Sequence, residues 1–172
     1  MNIGEGISGA LFDGEEHKHR FSLWRIWDRA KRALLFIGLN PSTASGLYDD
    51  PTIVRLACFA KAWGYGSLYA GNLFSIVSSD PEVLYMETSW DPIGGPNDKA
   101  ILKMREVCST VMVGWGAWGR HFPEQVAYML SLLGDPIYCI KTTRMGEPMH
   151  PLYLPKDSKL REYHRQEAIN GR

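Results

Sequence analysis

The chain has 172 residues, of which 45% are hydrophobic and 22% are charged. This composition is typical of one folded globular domain and argues against a disordered chain. Nineteen Lys and Arg side chains balance nineteen Asp and Glu side chains, so the formal net charge is zero. A protein held on nucleic acid mainly by bulk charge carries an excess of basic residues. Any polyanion site is therefore expected to be a local patch.

The cysteines Cys58, Cys108 and Cys139 are spread singly along the chain. This spacing predicts neither a zinc site nor a four-cysteine iron–sulfur cluster. Each lies among apolar residues and is expected to be buried as a small hydrophobe. Unpaired cysteines indicate a reducing compartment, and neither a targeting peptide nor a membrane span is recognisable. We therefore expect a cytoplasmic protein with no membrane partner, no metal and no organic cofactor.

Residues 8–32 predict a β-hairpin that is appended to the core. Asp13-Gly14 is a hairpin turn signal, and the alternation around Phe21 and Leu23 indicates one strand of an antiparallel pair. The segment is also rich in cations, which form either a DNA-facing patch or an ordinary solvated surface: Lys18, Arg20, Arg25, Arg29, Lys31 and Arg32.

Four short apolar runs predict the strands of a parallel sheet, over residues 33–38, 67–71, 107–113 and 136–140. The helices between them begin at Asp50-Pro51, at Asn97 as a cap, and at Pro123, the last ending before Gly134. Right-handed crossovers then place helices on both faces of the sheet. The predicted fold is a three-layer α/β/α sandwich with a four-stranded, mainly parallel sheet. Residues 1–172 form a single domain, with a hairpin at 8–32, a core at 33–155 and a peripheral tail at 156–172.

Polar and aromatic residues follow the predicted strands, at the edge where open α/β sheets bind ligands. In chain order, these residues are Asn40, Ser42, Thr43, Asp49, Asp50, Asn72, Phe74, Trp115, Glu147 and His150. Carboxamides can bind the edge of a planar heterocycle and aromatic rings can stack on its face. Each residue also has a structural interpretation, since amides satisfy turns, aspartates cap helices, and a histidine or a tryptophan can simply be buried.

Several ordered motifs resemble the bacterial and phage family labelled domain of unknown function 1643. The resemblance extends from the hairpin to about residue 155. It rests on segments 38–44, 49–53, 63–66, 72–74, 115–116 and 150–154, which read GLNPSTA, DDPTI, WGYG, NLF, WG and HPLYL.

A more distant resemblance is to the uracil-DNA glycosylase superfamily, in particular its thymine/mismatch-type branch. Gly38-Leu39-Asn40-Pro41-Ser42 is similar to the first motif of that branch, and His150-Pro151 is similar to the last motif of the uracil enzymes. The resemblance implies cleavage of an N-glycosidic bond of a damaged or modified base in DNA. It further implies that Asn40 orients water, that His150 stabilises the departing base, and that Asn72 binds the edge of the base.

The same resemblance implies that Phe74 or Trp115 stacks on the flipped base and that Ser42 and Thr43 hold a phosphate. The chain departs from a complete hydrolase in one respect, because an amide such as Asn40 cannot accept a proton near neutral pH. Carboxylates that could serve instead as acid or base are Asp49, Asp50 and Glu147.

Two further readings stay open. The chain can be a non-catalytic module that binds a nucleotide or a nucleobase in the same pocket, or a structural protein in which Asn40, Asn72 and His150 lie far apart. The substrate base, the choice between DNA and a free nucleotide, and the oligomeric state do not follow from the sequence.

Overall fold

The computed structural model describes residues 3–86 and 94–165, and the fold is an α/β structure built on one mixed sheet of seven strands. The strands are β1 (Ser8–Phe12), β2 (Arg20–Ile26), β3 (Ala33–Gly38), β4 (Ser67–Asn72), β5 (Thr110–Val113), β6 (Ile137–Cys139) and β7 (Arg161–Glu162). The helices are α1 (Pro51–Ala62), α2 (Pro96–Val107) and α3 (Pro123–Leu133), and short 3₁₀ turns lie at Pro81–Tyr85, Gly116–His121 and Pro151–Tyr153.

The centre of the sheet is parallel, in the order β4-β3-β5-β6. Each of them corresponds to one of the four predicted apolar runs, but the run over 107–113 is a strand only from Thr110, because α2 continues to Val107. The expected four-stranded sheet is nevertheless too small, because antiparallel strands extend it at both sides. The hairpin strand β2 pairs with the outer edge of β4, and β7 pairs with β6. The hairpin is therefore part of the main sheet, and the segment after Lys156 contributes its last strand.

The sheet is covered on both faces, which gives three layers. Alternate residues of β3 face opposite sides: Leu34 and Phe36 pack in one apolar cluster with α1, whereas Leu35 and Ile37 pack in the other with α2 and α3. This alternation follows from the two-residue period of a strand. Burial on both faces explains why β3 reads as a continuous apolar run.

The beginning of α1 confirms one sequence prediction, and the beginning of α2 corrects another. Asp50 caps α1, where its carboxylate accepts a 2.8 Å hydrogen bond from the Ile53 N–H. Asn97 does not cap α2: the cap is Gly95, in extended backbone, and Pro96 occupies the first turn. Asn97 lies inside the helix, and its amide donates to the Asn72 carbonyl at 3.2 Å.

The cysteines are free, as expected, but only Cys108 and Cys139 are buried. Cys58 is exposed, because its position in α1 lies away from the helix face that carries Leu56 and Phe59 into the core. Among the described residues, no helix is long and apolar enough to cross a bilayer.

Candidate functional site

A cavity of about 600 Å³ opens at the carboxyl edge of the parallel strands. Gly38 ends β3 and Asn72 ends β4 in its wall, and Trp115 follows β5. The first turn of α1 and the segment around His150 close the other sides. The position is the one expected for ligands of open α/β sheets, and the volume is in the range of small-molecule sites.

Asn72 presents its carboxamide to this cavity. The residue is only 6% exposed, and its side-chain amide has no hydrogen-bond partner within the described residues. Gly38 makes room for it, since a Cβ there would lie 2.8 Å from Asn72 Oδ1. The Asn97 bond to the Asn72 carbonyl, and a 2.8 Å bond from Gln125 Nε2 to the Leu73 carbonyl, fix the backbone on which this amide is mounted. Asn72 therefore offers a rigid, unsatisfied donor and acceptor pair.

Asn40 also lines the cavity, but half of its amide is already used. Its Nδ2 donates to the carbonyl of Ser78 at 2.8 Å and, more weakly, to those of Pro41 and Ile76 at 3.3 and 3.4 Å. These bonds join the loop after β3 to the loop after β4. The remaining atom, Oδ1, has no partner in the part of the chain that the structure describes, so Asn40 can offer an acceptor to a ligand or a water.

Arg20 is a cavity residue that the sequence placed among surface cations. It is 3% exposed, because β2 runs antiparallel to β4 and so begins where β4 ends. Its Nη1 donates to the Ala44 carbonyl at 2.6 Å, while Nε is buried and lacks an acceptor. Burial lowers the pKa of Arg20 to about 10, and the nearby Asp50 carboxylate opposes that shift. The arginine is still a cation at neutral pH.

Asp50 and His150 share the same wall. Burial lowers the pKa of His150 below its usual 6.5, although the charge of Asp50 acts in the opposite direction. The imidazole is thus mainly neutral at pH 7. His150 Nδ1 is buried and has no hydrogen-bond partner among the described residues, so we take Nε2 as the ring nitrogen that a ligand would reach. Asp50 uses Oδ1 on the α1 cap, which leaves Oδ2 available to the cavity.

The aromatic residues of the site differ from those predicted to stack on a base. Trp115 lines the cavity but is 2% exposed, and its indole N–H donates to Glu147 Oε2 at 2.6 Å. Phe74 packs edge-to-face on Phe122, with ring centroids 4.9 Å apart, and is not part of the cavity wall. Three aromatic residues that were not predicted as ligands line the cavity as well: Phe36, Trp118 and Tyr153. Tyr153 is the most exposed of them, at 77%.

The model of the family described as protein of unknown function (DUF1643) matches residues 20–152. The chain belongs to this family. The DUF1643 match begins at Arg20 and passes His150, so it spans all of the cavity wall except Tyr153. Searches of the curated proteins and of the solved structures return no match. The resemblance of this DUF1643 protein to the uracil-DNA glycosylases stays a prediction.

The structure brings six of the ten predicted site residues of the DUF1643 chain into one cavity: Asn40, Ser42, Asp50, Asn72, Trp115 and His150. The other four lie outside its wall. Thr43 is exposed, Asp49 forms a 2.6 Å ion pair with Arg25, and Phe74 packs on Phe122. Glu147 is buried behind Trp115, where it accepts the indole hydrogen bond. Of the three candidate carboxylates, therefore, only Asp50 reaches the cavity.

No group of three or more His, Cys, Asp or Glu side chains within residues 3–86 and 94–165 is arranged to hold a metal ion. The polar groups in the wall of the DUF1643 cavity include two amides, an imidazole, a carboxylate, a buried guanidinium and several hydroxyls.

Proposed function

We propose that the cavity binds a nucleobase and hydrolyses the N-glycosidic bond that joins it to a sugar. The observation that carries this proposal is the Asn72 amide, which is fixed at the end of β4, unsatisfied, and turned to the same cavity as His150 and Asp50. A carboxamide presents one donor and one acceptor in a plane, which matches the edge of a nucleobase. Trp118 and Tyr153 line the same cavity, and we expect their rings to contact the face of the base.

In the proposed reaction, one group of residues acts on the departing base and another acts on the sugar carbon. The bond from C1′ to the base nitrogen breaks with its electron pair going to the base, and the sugar becomes oxocarbenium-like. His150 Nε2–H donates a hydrogen bond to the base as negative charge develops there. A water, oriented by Asn40 Oδ1, adds its oxygen to C1′ and gives its proton to Asp50 Oδ2. A proton from solvent then completes the free base.

Binding without cleavage is the second candidate, and one observation favours it. The Asn40 amide nitrogen is held by backbone carbonyls, and one oxygen of Asp50 is committed to the α1 cap. Both side chains therefore have a structural role, which would hold them in these positions even in a protein with no turnover.

Release of free base is the direct test. The purified protein is incubated with nucleosides, nucleoside monophosphates, and oligonucleotides that contain uracil, mismatched thymine or hypermodified pyrimidines, and products are separated by chromatography. We expect release from at least one substrate, and a loss of about 100-fold or more in His150→Gln and in Asp50→Asn. Thr43→Val, at an exposed site outside the cavity, is the matched control.

The two candidates separate on binding and turnover. Binding of a base-containing ligand that is weakened by Asn72→Leu, with no free base from any substrate, would support the binding module. Folded protein that neither binds nor cleaves any member of the panel would overturn both.

A further inference from the structure

Arg20 is a buried cation that forms no ion pair within the described residues, although the charge of the Asp50 carboxylate acts on it. None of the ion pairs among the described residues involves it, so no described carboxylate oxygen lies within 4.0 Å of its guanidinium. Nε is buried without an acceptor, and Nη2 has no hydrogen-bond partner in the described chain. A buried charge without an ion-pair partner is destabilising, and an anion supplied by a ligand would provide that partner.

The first turn of α1 faces the same part of the cavity. Thr52 and Ile53 lie in the wall, and Pro51 precedes them, so the Thr52 N–H is a helix N-terminal donor with no acceptor among the described residues. Helix N-termini favour anions through their free N–H groups and their dipole. The Ser42 hydroxyl lines the same cavity. Asp50 is the opposing charge, with one of its oxygens turned to the Ile53 N–H.

The burial of Arg20 bears on whether the ligand is a free nucleotide or a base flipped out of DNA. Arg20 is 3% exposed in the cavity wall, as buried as its neighbours there, whereas Tyr153 in the same wall is 77% exposed. A base extruded from a duplex leaves the flanking phosphates of the strand outside its pocket. We therefore expect a buried arginine in the cavity wall to meet a phosphate that enters with its own nucleoside rather than the phosphates of a strand. The zero net charge of the chain agrees with a ligand smaller than DNA.

We infer that Arg20, together with Ser42 and the N-terminus of α1, is a phosphate subsite, and that the ligand is a free nucleoside monophosphate held entirely within the cavity. This inference rests on the proposed function, because the amides and the imidazole bind the base of the same molecule. Arg20 supplies charged donors in the cavity wall, and Asn72 and His150 supply the contacts with the base.

Calorimetric titration at fixed ionic strength tests the subsite. The probes are the four common deoxynucleosides and deoxyuridine, their 5′- and 3′-monophosphates, and a single-stranded oligonucleotide without terminal phosphates. We expect at least one monophosphate to bind about tenfold or more tighter than its nucleoside, and inorganic phosphate to compete with it. Arg20→Gln should abolish this preference, so that the monophosphate binds no more tightly than its nucleoside does to the same variant. Arg144→Gln, an exposed arginine outside the cavity, should retain the preference.

The outcomes distinguish the subsite from the proposed function. Equal affinity for nucleosides and monophosphates, or tighter binding of the oligonucleotide than of every monophosphate, overturns the phosphate subsite and leaves base binding intact. Absence of binding for every probe, with folded wild type, overturns both. If Arg20→Gln does not fold, the preference of the wild type and its competition by inorganic phosphate decide the matter.

Discussion

The His150 imidazole makes the free energy of unfolding of the protein depend on pH. Its pKa is lowered chiefly by burial, so the unfolded chain takes up a proton at a higher pH than the folded protein does. The contribution of His150 to the free energy of unfolding is therefore present above pH 6.5 and is lost as the pH falls through the folded pKa.

We expect the free energy of unfolding of His150→Gln to depend less on pH than that of the wild type, over roughly pH 7 to 5. Urea titrations at several pH values would measure this difference. Parallel pH profiles for the two proteins would show that His150 titrates normally in the folded state.

Gly119 is outside the cavity wall, but the position of Trp115 in that wall depends on it. A Cβ there would lie 2.7 Å from Glu147 Oε2 and would overlap the Trp115 indole, so only glycine leaves their hydrogen bond in place. We expect Gly119→Ala to destabilise the protein by about 1–3 kcal/mol. Thermal unfolding, with Gly46→Ala as the control, would measure it, since the nearest atom to a Cβ at Gly46 is 3.5 Å away. Equal melting temperatures would contradict the expectation.

At the scale of the element, the beginning of α1 combines capping with chemistry. Asp50 closes the first turn through the Ile53 N–H and faces the cavity with its other oxygen. A substitution here changes helix stability, charge, or both, and the two effects can be separated by the choice of residue.

Asp50→Asn keeps a capping oxygen, so we expect stability near that of the wild type and loss of base release. Asp50→Ala removes the cap as well and should lower the free energy of unfolding by about 1 kcal/mol. Chemical denaturation and the release assay, run on both variants, would separate the two roles. Full release by Asp50→Asn would remove Asp50 from the mechanism.

At the scale of the molecule, the local patterns predicted the parallel core well. The apolar run over residues 33–38 is β3. As expected, Asp50-Pro51 begins α1 and Gly134 ends α3. Such signals are local, because caps, prolines and strand periodicity act within a few residues. The elements that they predict are therefore largely independent of which distant segments pack against them.

Long-range pairing was harder to predict. Nothing near Arg20 in the sequence indicates that β2 pairs with the outer edge of β4, and that pairing is what turns a surface cation into part of the wall of a cavity. In the same way, Phe74 and Glu147 follow strand ends as the site residues do. Phe74 nevertheless packs on Phe122, and Glu147 accepts a hydrogen bond from Trp115, so neither lines the cavity. Sequence position brought the candidates to one edge, whereas tertiary contacts decided which of them face the cavity.

Trp118 has a practical consequence, since an indole in the wall of a binding cavity is a built-in optical probe. Entry of a ligand would replace the water that the ring meets and would alter its emission, with no label attached. Fluorescence titration should therefore follow occupancy directly, against a background from the five remaining tryptophans. The part of the signal that comes from Trp118 should be lost in Trp118→Phe while calorimetry still detects binding, and a signal of unchanged size would assign it to Trp115, the other indole in the wall.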